Sequence, residues 1–229
     1  MRQLIVAKNV VIIGGGQKSG RMIADRFRDN GDMVRVLSHR VYPDSTTADF
    51  TSTADVLAKF RELTQDLATI DVFFYNTNHH AGPTTESDFK KNSDSCSPQQ
   101  IQDRYKVIED DWHKNAHIGM VLPNLLTLAA LGKMTSSSVG VYITTYISYG
   151  DLNLTNPYNH LLSYKGVKAV QNHMMLAFAA HNDAGATFFS VAPHYPYEDP
   201  ARLEIAVDKV YRAVQSAGPV DNGKFIQCF

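Results

Sequence analysis

Short apolar and β-branched runs alternate with longer segments of helical periodicity along most of the chain. This alternation is typical of a parallel sheet that is covered by helices on both faces. The first run, from Val10 to Ile13, is continuously apolar, as expected for a strand that is buried on both sides. The sequence therefore predicts an α/β protein with a doubly wound parallel sheet of about seven strands, in three α/β/α layers.

The predicted elements follow one another without an internal repeat or a linker. We predict strands at 10–13, 33–37, 48–50, 71–75, 139–143, 187–191 and 224–226. Helical spacing predicts a helix that ends at Asn30-Gly31, one around 56–63, a long one from about Pro98 to Gly132 that breaks near Pro123, and two more at about 161–182 and 200–217. Polar loops are predicted at 78–97 and 146–160. Residues 1–229 are expected to form one domain.

Composition and charge argue against several classes of protein. The chain has 22 Lys and Arg against 23 Asp and Glu, a net charge of −1, which disfavours binding to nucleic acids or anionic membranes. No apolar run reaches the roughly 18 residues of a membrane span, and the N-terminal residues lead directly into the first strand, so no signal peptide is expected. Cys96 and Cys228 lie outside any CxxC spacing. A cytoplasmic protein is therefore expected.

A glycine-rich turn links the first strand to the first helix. It reads Gly14-Gly15-Gly16-Gln17-Lys18-Ser19-Gly20. Glycines let the backbone approach phosphate groups closely, and the N-terminus of the following helix offers free N–H groups. Strand, glycine turn and helix in this order indicate a Rossmann-like fold that binds a dinucleotide, provided that other strand ends also carry reactive side chains.

Tyr164 and Lys168 are such reactive side chains. They are four residues apart and therefore share one face of a helix. This helix follows the predicted strand that leads to Thr145. A nearby lysine ammonium lowers the pKa of a tyrosine below its ordinary value of ~10, which suits a phenol that exchanges protons near neutral pH.

Together these features resemble the short-chain dehydrogenase/reductase superfamily, and the resemblance covers nearly the whole chain. Tyr164 and Lys168 match the YxxxK motif, and the glycine turn is similar to the TGxxxGxG motif. Five further stretches carry the resemblance: Asp71–Asn78 (DVLVNNAG), Trp112–Asn115 (the helix with the catalytic asparagine), Val141–Thr145 (the strand that delivers the catalytic Ser or Thr), Val191–Pro193 (VxPG) and Asn222–Phe225 (the last strand of small, lidless members).

The resemblance implies hydride transfer between a nicotinamide cofactor and a carbonyl or alcohol substrate. The implied catalytic residues are Asn115, Thr145, Tyr164 and Lys168. Tyr164 would exchange a proton with the substrate oxygen, and Thr145 would donate a hydrogen bond to that oxygen. Lys168 would lower the pKa of Tyr164 and bind the nicotinamide ribose, and Asn115 would hold a water molecule that connects Lys168 to solvent. In relatives the helices of Asn115 and Tyr164 pack across a dimer axis, which implies a homodimer or homotetramer.

The end of the second strand bears on the choice of cofactor. NAD sites usually place a carboxylate there to bind the ribose 2′-hydroxyl, but this strand ends in Leu37-Ser38-His39-Arg40. Arg40, with help from Lys18, suits a 2′-phosphate, so NADP(H) is preferred and NAD(H) is possible. The predicted cofactor-binding residues are Gly14, Gly16, Gln17, Lys18, Ser19, Gly20, Ser38, His39, Arg40, Asp49, Phe50, Asn76, Thr77, Tyr164, Lys168, Pro193 and His194.

Three departures from the family pattern bear on the site. Lys18 stands where the middle glycine is expected, and Pro193 is followed by His194 instead of glycine. The connection between Thr145 and Tyr164 is several residues longer than usual, so Ser148 competes with Thr145 as the hydroxyl donor. Two alternative functions therefore stay open: an epimerase or dehydratase of the same fold, and a non-catalytic NADP(H)-binding regulatory protein.

No metal site is predicted. His113 and His117 have the spacing of two zinc ligands, but Lys114 occupies the position of the glutamate in an HExxH site. We expect a small-molecule carbonyl or alcohol as the substrate, and no nucleic-acid or membrane partner.

Overall fold

The computed structural model describes residues 7–16, 18–77, 97–145, 162–193 and 199–228. Seven strands form its centre: β1 (Asn9–Ile13), β2 (Met33–Ser38), β3 (Ser45–Thr47), β4 (Val72–Tyr75), β5 (Val139–Ile143), β6 (Thr187–Pro193) and β7 (Phe225–Cys228). They make one sheet in the order β3-β2-β1-β4-β5-β6-β7, and all neighbouring strands are parallel. The predicted doubly wound, Rossmann-like α/β sheet is confirmed.

The helices of the described residues are α1 (Lys18–Asp29), α2 (Thr53–Thr64), α3 (Pro98–Ala116), α4 (Leu122–Leu131), α5 (Leu162–His181) and α6 (Pro200–Ser216). The side chains of Ser52, Ser97 and Asp199 cap α2, α3 and α6 by accepting a backbone N–H of the first turn. None of these helices is both long and apolar enough to cross a lipid bilayer. The predicted loops at 78–97 and 146–160 lie, except for Ser97, outside the described residues.

The sheet separates two apolar cores. Successive side chains of a strand point to opposite faces, so Val11 and Ile13 contribute to one core while Val10 and Ile12 contribute to the other. Helices α2, α4 and α5 close the first core, and α1 and α6 close the second. This is the predicted three-layer arrangement. From β1 the chain adds strands in one direction through β2 and β3 and in the other through β4 to β7, so a crevice for a ligand is expected where the direction changes.

The third strand differs from the prediction. It spans Ser45–Thr47 and not residues 48–50. Ala48 still donates its N–H to the Ser38 carbonyl (2.9 Å), but Asp49 then accepts hydrogen bonds from the Thr51 N–H (2.9 Å) and the Thr51 hydroxyl (2.6 Å). This side-chain turn ends the extended conformation.

The break in the long helix lies before Pro123. A π-helical turn, His117–Val121, joins α3 to α4, and the Leu122 N–H donates to the His117 carbonyl five residues earlier. In this register the next donor would pair with Ile118, but Pro123 has no N–H. The Ile118 carbonyl accepts a hydrogen bond from the Tyr75 hydroxyl instead. A side chain of β4 thus supplies the donor that the proline lacks.

Candidate active site

The glycine turn packs against the end of β4. Gly14 has a φ of +85°, a conformation that favours glycine, and its N–H donates to the Leu37 carbonyl (2.8 Å). A Cβ at Gly14 would lie 2.6 Å from the Asn76 carbonyl oxygen, and one at Gly20 would lie 2.6 Å from the Asn76 side-chain nitrogen. Neither position has room for a side chain, so the turn and the start of α1 lie close to the ends of β1 and β4.

The same turn crosses the end of β2. A Cβ at Gly16 would lie 2.3 Å from the Ser38 Oγ. Lys18, the first residue of α1, is exposed and has a φ of +45°, so the residue that replaces the expected middle glycine adopts a left-handed conformation. Ser19 is buried, and Gln17 lies outside the described residues.

This arrangement fits the pyrophosphate of a dinucleotide. The atoms that a Cβ at Gly14, Gly16 or Gly20 would meet are the protein's own, so the glycines let the turn pack tightly against the strand ends. The first turn of α1 contains no acidic residue, so its positive end is not neutralised by a carboxylate of its own. Gly14, Gly16, Lys18, Ser19 and Gly20 are therefore suited to hold the phosphates.

Ser38, His39 and Arg40 lie at the end of β2, beside the turn. The buried Ser38 Oγ accepts the backbone N–H of Arg40 (3.3 Å). His39 and Arg40 are exposed. Desolvation of its ring and the charge of Arg40 lower the pKa of His39, which favours the neutral imidazole. Arg40 therefore supplies the positive charge at this strand end.

Asp49 and Phe50 follow β3 near the same edge. Phe50 is buried, and its ring centroid is 6.1 Å from that of His39. Hydrogen bonds from Thr51 lower the pKa of the exposed Asp49, and His117 contributes to this shift. His117, weighed in the sequence only as a metal ligand, is half-buried in the π-turn. Its Nε2 is buried and has no hydrogen-bond partner among the described residues, and within these residues no group of three candidate metal ligands occurs.

Lys168 is buried at the carboxyl ends of β4 and β5. Only 2 % of its surface is exposed, and its Nζ donates to the Ile143 carbonyl (2.7 Å), to the Gln171 Oε1 (2.8 Å) and, at 3.5 Å, to the Thr77 carbonyl. Burial lowers the pKa of Lys168 from 10.5 to about 7. The Nζ lies 5.9 Å from the ring centroid of Tyr164, which is half-buried one helical turn earlier.

Thr145 lies at the same edge of the sheet, two residues beyond the Ile143 carbonyl that Lys168 contacts. Thr144 and Thr145 are buried, and the Thr144 N–H continues the pairing with β6 by donating to the Val191 carbonyl (2.9 Å). The Thr144 Oγ1 has no hydrogen-bond partner within the described part of the chain. Ser148, the competing hydroxyl, lies outside the described residues.

Asn115 belongs to a buried polar cluster that joins α3 to α5. Its side-chain nitrogen donates to the Asp111 carboxylate (3.1 Å), to the Asp111 carbonyl (3.2 Å) and to the Ser163 Oγ (3.2 Å). The Ser163 hydroxyl donates to the same Asp111 carboxylate (2.6 Å). Because Ser163 directly precedes Tyr164, the cluster holds the start of α5 against α3.

The remaining predicted cofactor contacts lie at the ends of β4 and β6. The Asn76 N–H donates to the Ile13 carbonyl (2.9 Å), which ties the end of β4 to β1. Thr77 is buried next to it. Pro193 is buried at the end of β6, opposite Cys228 of β7, whereas His194 lies outside the described residues.

Sequence reasoning missed Asp111, Ser163 and Gln171. The spacing of Asp111 and Asn115, four residues apart on one helix, and that of Lys168 and Gln171, three apart, are signals that were available. Neither spacing shows that a pair is buried. Ser163 had no comparable signal, because its contact with Asp111 joins residues that are 52 positions apart.

No protein-family model matches the sequence, and no curated protein matches it. Solved structures match it in fold. A carbonyl reductase from Pseudomonas aeruginosa PAO1 is 16% identical with a TM-score of 0.72, over 96% of each chain. An oxidoreductase of the short chain dehydrogenase/reductase family from Brucella ovis, in complex with a partially ordered NAD, is 15% identical with a TM-score of 0.71, over 98% of this chain and 100% of that one.

A putative 3-oxoacyl-reductase from Bacillus thuringiensis is 12% identical with a TM-score of 0.72, over 97% of this chain and 96% of that one. At these identities the similarity concerns the path of the backbone. The chain therefore has the fold of the short-chain dehydrogenase/reductase structures over nearly its whole length.

Proposed function

We propose that this chain is an NADPH-dependent short-chain dehydrogenase/reductase that transfers a hydride between the nicotinamide and a carbonyl or alcohol substrate. The surroundings of Lys168 carry this proposal: its ammonium is buried between the ends of β4 and β5 and lies 5.9 Å from the Tyr164 ring. A buried lysine beside a tyrosine, at the strand ends where such folds bind ligands, is an arrangement for proton transfer.

The bound cofactor would supply the hydride, and the chain would supply orientation and proton transfer. Tyr164 gives its phenolic proton to the substrate oxygen during reduction and takes it back during oxidation. Thr145 donates a hydrogen bond to the same oxygen and holds it near Tyr164. Both the half-buried position of Tyr164 and the burial of Thr145 support these roles, because a water-excluded site strengthens such contacts.

Lys168 has two roles in this mechanism. Its positive charge stabilises the phenolate of Tyr164 and so lowers the pKa of Tyr164. The N–H group that makes only the long 3.5 Å contact with the Thr77 carbonyl would bind the nicotinamide ribose instead when the cofactor is present. Asn115 uses its side-chain nitrogen to join α3 to α5, while its side-chain oxygen binds the water molecule that connects Lys168 to solvent.

The preference for NADPH is proposed from the charges beside the glycine turn. Arg40 is exposed next to Ser38, and Lys18 is exposed at the start of α1. A guanidinium binds the 2′-phosphate of NADPH with two parallel hydrogen bonds, and both cations attract it. NAD(H) lacks the 2′-phosphate and would leave Arg40 without this partner.

We also propose that the chain forms a homodimer or homotetramer through α3 and α5. Tyr105 and Trp112 of α3 are 57% and 42% exposed, and Leu176 of α5 is 46% exposed. Covering such large apolar side chains stabilises an interface. Sedimentation velocity of the purified chain measures this directly, and a monomer at all concentrations would contradict it.

The function is tested by NADPH oxidation with a panel of ketones and aldehydes, together with fluorescence titration of the cofactor. Tyr164→Phe removes the phenolic hydroxyl and keeps the ring, so we expect it to bind NADPH but to lose about 10²–10⁴-fold in turnover. Tyr211→Phe, the same change on α6, serves as the control and keeps its activity.

Each outcome points to one conclusion. NADPH binding without turnover of any carbonyl by the unaltered protein would favour a regulatory protein. Near-normal turnover by Tyr164→Phe would show that Tyr164 is not the proton donor.

A further inference from the structure

We propose that Gln171 is a positioning residue for Lys168, holding its ammonium group against the ends of β4 and β5. The catalytic meaning of this role rests on the function proposed above. Gln171 lies on α5, three residues after Lys168, and its side chain is completely buried. Its Oε1 accepts a hydrogen bond from the Lys168 Nζ at 2.8 Å.

The ammonium of Lys168 has three N–H groups to place. The Ile143 carbonyl accepts at 2.7 Å and the Thr77 carbonyl at 3.5 Å, and the Gln171 Oε1 is the third oxygen. The two carbonyls belong to the backbone of the sheet edge. Among the described residues, Gln171 is therefore the side chain that accepts a hydrogen bond from the Lys168 Nζ, and it does so from helix α5. A substitution of Gln171 can remove this hydrogen bond, whereas a side-chain substitution does not remove the two backbone acceptors.

The orientation of the Gln171 amide follows from the chemistry of its partner. An ammonium group donates hydrogen bonds and accepts none, so the amide oxygen must face Lys168 and the amide nitrogen must point away. That nitrogen lies over the π-turn, where a Cβ at Gly119 would be 3.9 Å from it.

The Gln171 Nε2 is buried and has no hydrogen-bond partner among the described residues. Leaving a buried donor unpaired destabilises a fold. A leucine or methionine would fill the same space without this cost, so packing alone does not account for the glutamine. The hydrogen bond between the Gln171 Oε1 and the Lys168 Nζ gives a reason for a glutamine at this position.

This contact matters because Lys168 acts as a cation. Burial disfavours the charged form and lowers the pKa of Lys168 to about 7, while an oxygen acceptor favours the charged form. Within the part of the chain that the structure describes, the titratable group that faces the ammonium is Tyr164 on the same helix, and the ends of β4 and β5 present neutral backbone carbonyls to it. Gln171 thus helps Lys168 to remain charged at the pH at which it must acidify Tyr164.

The role is tested without cofactor or substrate, by NMR titration of protein labelled with ¹³C at the lysine Cε, with Lys168→Met used to assign the resonance. Gln171→Leu removes the acceptor, and we expect the pKa of Lys168 to fall by roughly one unit or more. Gln171→Glu places a carboxylate at the same distance and should raise this pKa by a similar amount.

A matched control is available on the opposite side of the sheet. The Gln215 Oε1 accepts a hydrogen bond from the Lys8 Nζ, also at 2.8 Å. Gln215→Leu removes an equivalent lysine–glutamine contact and should leave the Lys168 resonance unchanged. In turnover assays, Gln171→Leu should move the acidic limb of the pH profile for alcohol oxidation to higher pH with little change in the substrate KM. Gln171→Glu keeps an acceptor for the Lys168 ammonium and should not cause this shift.

An unchanged Lys168 titration in Gln171→Leu would overturn the role. If Gln171→Leu does not fold, the titration of Gln171→Glu is the test. A Lys168 pKa that does not rise in Gln171→Glu would then overturn the positioning role of Gln171. A shifted titration in a protein that turns over no carbonyl would refute the proposed function and leave the positioning of Lys168 intact.

Discussion

Lys18 adopts a backbone conformation that is unfavourable for a residue with a Cβ. Its φ is +45°, and a left-handed conformation costs ~1–2 kcal/mol for such a residue. Glycine would avoid this cost but would carry no charge. The lysine therefore places a cation at the edge of the glycine turn at some expense of stability, which is consistent with a ligand that carries phosphate groups.

Arg40 is the residue that we expect to decide between the two nicotinamide cofactors. Arg40→Asp removes the cation and adds a carboxylate that suits a ribose 2′-hydroxyl. We expect the Kd for NADPH to rise at least about tenfold, because a charged hydrogen-bonding partner is lost, and the Kd for NADH to fall or stay constant. Fluorescence titration of both cofactors measures the two constants.

Arg212→Asp is the control for this change of charge. Arg212 is exposed on α6, far along the helix from the end of β6, and its replacement should change neither Kd. Tighter binding of NADH than of NADPH by the unaltered protein would contradict the assignment of Arg40.

At the scale of elements, the join between α3 and α4 depends on β4. The π-turn shifts the pairing by one residue, and Pro123 cannot supply the N–H that this register assigns to the Ile118 carbonyl. The buried Tyr75 supplies a hydroxyl donor in its place. The sheet therefore fixes the position of the helix that carries Asn115.

Tyr75→Phe should destabilise the chain, because the Ile118 carbonyl loses its donor while the ring still fills its space. We expect a loss of about 1–3 kcal/mol in the free energy of unfolding, measured by urea denaturation. In the Tyr75→Phe background, Pro123→Ala restores a backbone N–H opposite Ile118 and should recover part of this loss. Strictly additive effects of the two substitutions would show that they do not share the Ile118 carbonyl.

At the scale of the whole molecule, Lys168 makes stability depend on pH. Burial holds its pKa at about 7 in the folded chain, whereas an unfolded chain has a value near ~10.4. Between these values the unfolded state binds more protons than the folded state, so the free energy of unfolding rises with pH. We expect a gain of about 2 kcal/mol between about pH 7 and about pH 9 in urea denaturation.

Comparison with Lys168→Met isolates this contribution from other groups. Burial raises the pKa of Cys228, Tyr75 and Tyr142, so these groups weaken the folded state as the pH rises above the ordinary pKa of each. They are present in both proteins and cancel in the difference. Parallel stability curves for the two proteins would mean that Lys168 is not held in a desolvated site.

The arrangement of the sheet followed from local patterns. The residues from Val10 to Ile13 are all apolar, so both faces of this strand can be buried. This burial can be predicted without knowing which helices cover the strand. The glycine turn and the four-residue spacing of Tyr164 and Lys168 are also visible in the sequence, because each lies within a few neighbouring residues. β3 was misplaced because its end depends on the side-chain turn of Asp49, which competes with extended structure.

Contacts between residues far apart in the sequence determined the features that local patterns did not predict. The π-turn depends on a tyrosine from β4, and the clamp between α3 and α5 depends on Ser163 meeting Asp111 across 52 residues. Gln171 stands three residues from Lys168 in the sequence, but on an exposed helix such a pair would exchange its hydrogen bond with water. Only the tertiary structure removes that water, because burial leaves Lys168 with the oxygens that the fold brings to it.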